Sequence, residues 1–95
     1  MPLPDPTNPM RDPNIARTLK PGLFAKVFVA TREPATDPFK GDHLWLEVTQ
    51  MHPKAVQLTG RIISKPRSRC GVSQGDHITV SVNAVEAVAA NPPAR

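Results

Sequence analysis

Residues 43–51 read HLWLEVTQM, and their side chains alternate between apolar and polar. Period-two alternation belongs to a strand with one covered face and does not suit an amphipathic helix. Leu44, Leu46 and Val48 fall on one side, with His43, Trp45 and Glu47 on the other. AVQLTGRII (55–63) repeats the pattern, setting Val56, Leu58, Gly60 and Ile62 against Gln57, Thr59 and Arg61. HITVSV (77–82) repeats it again, with Ile78, Val80 and Val82 inward. GLFAKVFVATRE (22–33) is β-branched and aromatic, and its two faces are both largely apolar, which predicts a strand covered on both sides. Gly60, in mid-strand, marks a bulge or bend of the kind that curls a small sheet. The chain has one Trp, no Tyr and three Phe. Placing that single Trp on a polar face makes Trp45 either a second packing layer or part of a binding site.

Proline limits everything else. Five of the twelve prolines fall within residues 1–13, MPLPDPTNPMRDP, which therefore read as an extended arm. AANPPAR (89–95) reads as a flexible tail. A single domain over 14–88 remains, roughly 75 residues, enough for a marginal core but not for a deep pocket. Within it, Asp12 as cap and Pro13 at the first helical position predict a short helix closed by Lys20, Pro21 and Gly22. His52–Pro53–Lys54 predicts a turn. NAVEAVAA (83–90) predicts a closing helical turn capped by Asn83, with a fifth short strand as the alternative. The expected fold is α+β, mainly β. It is a small, strongly bent antiparallel sheet, an SH3-like or OB-like half-open barrel of four or five strands with one short N-terminal helix.

Size argues against a large catalytic machine, and no apolar run approaches the ~20 residues of a membrane helix. The N-terminal residues lack the pattern of a secretory signal, and one cysteine, Cys70, cannot form an internal disulfide. A cytoplasmic setting is the expectation. The net charge of +4 is concentrated. Residues 48–75 contain Lys54, Arg61, Lys65, Arg67 and Arg69 with no acidic side chain, and the remainder of the chain is close to balanced. The loop ISKPRSRCGVSQG groups Lys65, Arg67 and Arg69 around Pro66, in an arrangement that can meet phosphates or an acidic protein surface. The plainer reading is a solvated loop that aids solubility.

Other features carry less. GDH occurs at 41–43 and 75–77, read as Gly turning with positive φ, Asp bonding its own turn, and a strand beginning at His. His43, His52, His77 and Cys70 have no metal-ligand spacing, so no metal and no cofactor are expected. Cys70, flanked by Arg67 and Arg69, reads as a free, mildly activated surface thiol without a positioned base. Asp42, Glu47 and Asp76 read as solvated charges, with no acid–base pair among them.

HLWLEVTQM, LTGRIISKP and VSQGDHITVSVNAVEAV together resemble the bacterial family called domain of unknown function 2314, the YegJ-like proteins. The matching positions are His43, Trp45, Glu47 and Val48; Gly60, Ile62 and Pro66; Gly75, Asp76, Ile78 and Val80; and Val85. FAKVFV resembles the strand that precedes them in that family. The likeness covers roughly residues 22–88. The family's longer first helix and closing Asp-Trp have no counterpart here. The resemblance implies a small α+β, barrel-like domain and brings no established activity.

Function is thus expected to be non-enzymatic. The chain reads as an interaction module docking onto a protein or nucleoprotein complex with an acidic or phosphate-rich surface. The binding residues expected are Trp45, Lys54, Arg61, Lys65, Pro66, Arg67 and Arg69. A phage- or plasmid-encoded inhibitor of host machinery is one form this takes. The alternative is a nucleic-acid-binding protein acting through phosphate contacts, against which stands the shortage of aromatics for base stacking. Open strand edges and the Pro-rich arm also allow a homodimer.

Overall fold

A computed structural model describes residues 15–93. It is mainly β: five antiparallel strands, β1 (Phe24–Ala30), β2 (Gly41–His52), β3 (Gln57–Ile62), β4 (His77–Ser81) and β5 (Val85–Ala89), form one sheet. Strands β1 to β4 run as a meander, and β5 returns to the free side of β1, giving the order β4-β3-β2-β1-β5. Of the expected N-terminal helix, one turn is described, α1 (Ile15–Thr18). Its expected cap Asp12 and first residue Pro13 lie outside the described residues.

The alternation seen in the sequence sets the core. Leu44, Leu46 and Val48 of β2 are buried, with Ala25 and Val27 of β1, Leu58 and Ile62 of β3, and Val85 of β5. Leu19, Cys70 and Val82 complete that cluster. The second face of β1 is covered only at Phe24, since Phe28 stays 44% exposed. The β2–β3 hairpin closes through a 3-10 turn, Pro53–Ala55, after which Val56 takes the left-handed conformation. The irregularity expected at Gly60 lies opposite it. The register slips between Val48 and Gln50, so Thr49 is the extra residue of a bulge on β2.

Two expectations change. Residues 85–89 are a strand, not a helical turn. The cap is Ser81, whose hydroxyl accepts from the amide of Asn83, and the 3-10 turn it caps (Val82–Ala84) is three residues long. Ala-rich NAVEAVAA suits a helix locally, but β1 offers an unpaired ladder edge, and pairing with it wins.

The same turn explains the bending. It joins β4 and β5, which stand at opposite edges of the sheet. In a flat sheet, four strand spacings would part them by about 19 Å. Three linking residues span at most about 14 Å even when fully extended. The sheet is therefore curled, bringing its outer edges together at this end, although β4 and β5 do not pair and it stays open.

Candidate functional site

Side chains on the outer face of β1 and β2 meet in register. Lys26 lies opposite Trp45, Phe24 opposite Glu47 and Phe28 opposite His43. On the next strand Arg61 lies opposite Glu47. Phe24, Lys26, His43, Trp45, Glu47 and Arg61, together with Asp42, residues 63–65, Arg67, Pro92 and Pro93, line a groove of about 670 Å³. Trp45 is half-buried within it, and the Lys26 ammonium stands 5.9 Å from the centre of its ring. Trp45 thus belongs both to a packing layer and to a concave surface.

The loop after β3 forms one wall, and its backbone is held in place. As β3 ends, the amide of Trp45 donates to the Ser64 hydroxyl at 2.8 Å, and Ile63 donates to the Trp45 carbonyl at 2.9 Å. The Gln74 amide group donates to the Ile63 carbonyl. Asp42 accepts from the amides of Arg67 at 2.6 Å and Ser68 at 3.4 Å. Asp37 accepts from the Arg69 amide at 2.7 Å, and Arg32 donates its amide to the Arg69 carbonyl. The carboxyl of Asp37 is held below its ordinary range, chiefly by the Thr31 hydroxyl and next by the Arg69 amide. Two aspartates, 25 to 32 residues away in sequence, therefore clamp the basic segment, Asp42 to the start of β2 and Asp37 to the loop that precedes it.

Four cations line the groove, Lys26, Arg61, Lys65 and Arg67, against Asp42 and Glu47. Glu47 accepts from Arg61 at 2.8 Å, and Asp42 is engaged by backbone amides. Arg67 lies 5.3 Å from the ring of Phe39. Among the described residues, Lys26, Lys65 and Arg67 form no ion pair. At the far end, His43 meets Glu86 at 2.7 Å and stacks at a tilt on Phe28. The chemistry on offer is a flat aromatic floor with positive walls.

Of the residues expected to bind, Trp45, Arg61, Lys65 and Arg67 converge here. Pro66 lies in the same loop without lining the groove. Arg69 turns away, its guanidinium reaching Thr36 at 3.2 Å and Glu33 at 3.8 Å. Lys54 sits on the 3-10 turn of the β2–β3 hairpin, beside Met51 and His52. Phe24, Lys26, Asp42, Ser64, Pro92 and Pro93 were not anticipated. Lys26 had a visible signal, a lone cation on an otherwise apolar strand face.

Three minor readings are corrected. Cys70 is 2% exposed and packs in the core, so it is not a surface thiol. Asp76 bonds within its own turn as expected, through the amide of Ser73, but Asp42 bonds a distant loop instead. Gly75 has positive φ whereas Gly41 does not; a Cβ at Gly41 would collide with the backbone of Val29. His43 and His77 lie on strands that are not neighbours, and no cluster of metal ligands occurs among the described residues. No helix among them is long and apolar enough to cross a membrane.

No family model, no curated protein and no solved structure matches this chain.

Proposed function

We propose that this protein is a non-enzymatic docking module that receives an acidic surface of a protein partner in the Trp45 groove. The observation that carries the reading is convergence. Trp45 from β2, Arg61 from β3, and Lys65 and Arg67 from the following loop surround one concavity, with Lys26 of β1 added. Tryptophan and arginine in a partly desolvated depression are the residue types that dominate interface energetics. The clamped loop favours binding further, because fixing its backbone beforehand lowers the ordering cost of association.

The fold reading that accompanies this is an SH3-like half-open barrel, supported by the four-strand meander, the 3-10 turn and the return of β5 to β1. Membership of the family of domain of unknown function 2314 and an origin as an inhibitor of host machinery belong to the same proposal.

Nucleic acid is the second reading, favoured by the three cations that lack ion pairs among the described residues. It would show as binding that weakens steeply with salt irrespective of sequence. The deciding experiment is affinity capture with wild type, Trp45→Ala, Lys65→Glu/Arg67→Glu and Lys54→Glu. The first two variants should lose the partner and Lys54→Glu should retain it. A partner held equally by all four proteins overturns the proposal.

A further inference from the structure

The groove contains part of this chain. Pro92 and Pro93, beyond the end of β5, line it together with Trp45, Lys65 and Arg67. Pro93 is half-buried while Asn91 and Pro92 are exposed, so the segment sets one ring into the groove. Consecutive prolines hold an extended polyproline conformation at little entropic cost and present flat hydrocarbon rings. An aromatic floor is the surface such rings dock on, and Trp45 and Phe24 supply one.

The electrostatic half of the groove is left unmet by this segment. Residues 87–93, AVAANPP, contain no carboxylate. Lys26, Lys65 and Arg67 line the groove without an ion pair among the described residues. Asn91–Pro93 matches the apolar floor but not the positive walls.

We propose that the groove recognises an extended, proline-containing acidic segment of a partner protein, and that Asn91–Pro93 is a built-in, weaker stand-in which the partner displaces. This rests on the docking-module reading above and adds the chemistry of the ligand. Self-occupancy sets a threshold. If the stand-in fills the groove nine-tenths of the time, apparent affinity for the partner falls about tenfold. Only a segment offering both proline rings and carboxylates competes well.

The probe is a synthetic decapeptide of alternating Glu and Pro, with an Ala-Pro decapeptide and a single-stranded oligothymidylate as comparisons. Each is titrated into wild type, Pro92→Gly/Pro93→Gly and a chain ending at Ala90. The indole emission of the single Trp is the readout, and circular dichroism confirms the fold. The Glu-Pro peptide should bind both variants about tenfold more tightly than wild type. Without peptide, both variants should already show red-shifted emission, since Trp45 loses a neighbour.

Equal or weaker binding by the variants overturns the stand-in, as does unchanged emission. An Ala-Pro peptide binding as well as Glu-Pro overturns the acidic requirement. Failure of the Glu-Pro peptide to bind any of the three proteins overturns the ligand assignment. Tighter binding of oligothymidylate overturns it in favour of nucleic acid. The affinity-capture experiment uses none of these probes, so the docking-module reading is judged separately.

Discussion

The backbone amide of Trp45 donates to the side-chain hydroxyl of Ser64 at 2.8 Å, in place of the backbone acceptor that β3 would have supplied had it run further. One hydroxyl thus ties the floor of the groove to its wall. Ser64→Ala should lower stability by about 0.5–1.5 kcal/mol, the net value of one such bond. The urea midpoint measures it, and the emission of Trp45 should shift in the same variant because its strand edge loosens.

Glu47 and Arg61 form a half-exposed pair at 2.8 Å. Such pairs contribute about 0–1 kcal/mol, so Glu47→Gln should leave the urea midpoint nearly unchanged. Releasing Arg61 makes the groove more positive. The variant should elute from a sulfonate resin at higher salt than Glu33→Gln, which removes an equal charge beside Arg69.

Acid should loosen the loop clamp. Asp37 has its carboxyl depressed first by the Thr31 hydroxyl and then by the Arg69 amide. A carboxyl lower in the folded than in the unfolded state contributes stability above its unfolded value and loses it as pH falls through the folded one. The loss should begin below about pH 4. Comparing urea midpoints of wild type and Asp37→Asn between neutral and acid pH checks it: the variant should be less stable at neutral pH, with the gap closing in acid.

Gly60 lies beneath Leu46. A Cβ there would stand 2.9 Å from the Leu46 Cβ and 3.1 Å from the Glu47 carbonyl oxygen. Because backbone must move to make room, Gly60→Ala should cost about 1–3 kcal/mol by overpacking. Chemical denaturation gives the value.

Cys70 is a core residue, 2% exposed. A thiol reagent should leave the native protein unmodified over the time in which it labels the urea-unfolded chain completely. Modification should proceed only as fast as the domain opens.

What was legible in the sequence follows from range. Leu44, Leu46 and Val48 declared their face because alternation is a local property, and their burial follows it closely. The concentration of Arg61, Lys65 and Arg67 was equally visible, and it supplies three of the groove's four cations. Lys26 could be placed beside Trp45 only with the β1–β2 register, which depends on a loop of ten residues whose length carries no register code. Arg69 looked identical to Arg67, yet Asp37 claims one and Asp42 orients the other across 25 to 32 residues. The fate of 85–89 was decided by an empty edge on β1, a tertiary fact that outweighs helix propensity.

Pairing of β1 with β5 ties the first strand to the last. A chain emerging from the ribosome can assemble β1 to β4 in sequence, but the free side of β1 waits until residues 85–89 are made. Contacts of such long separation slow the final closure. The groove waits with them, because Pro92 and Pro93 come later still. A chain that stops short of Pro92 therefore carries Trp45 and its cations without the proline segment that lies in their groove.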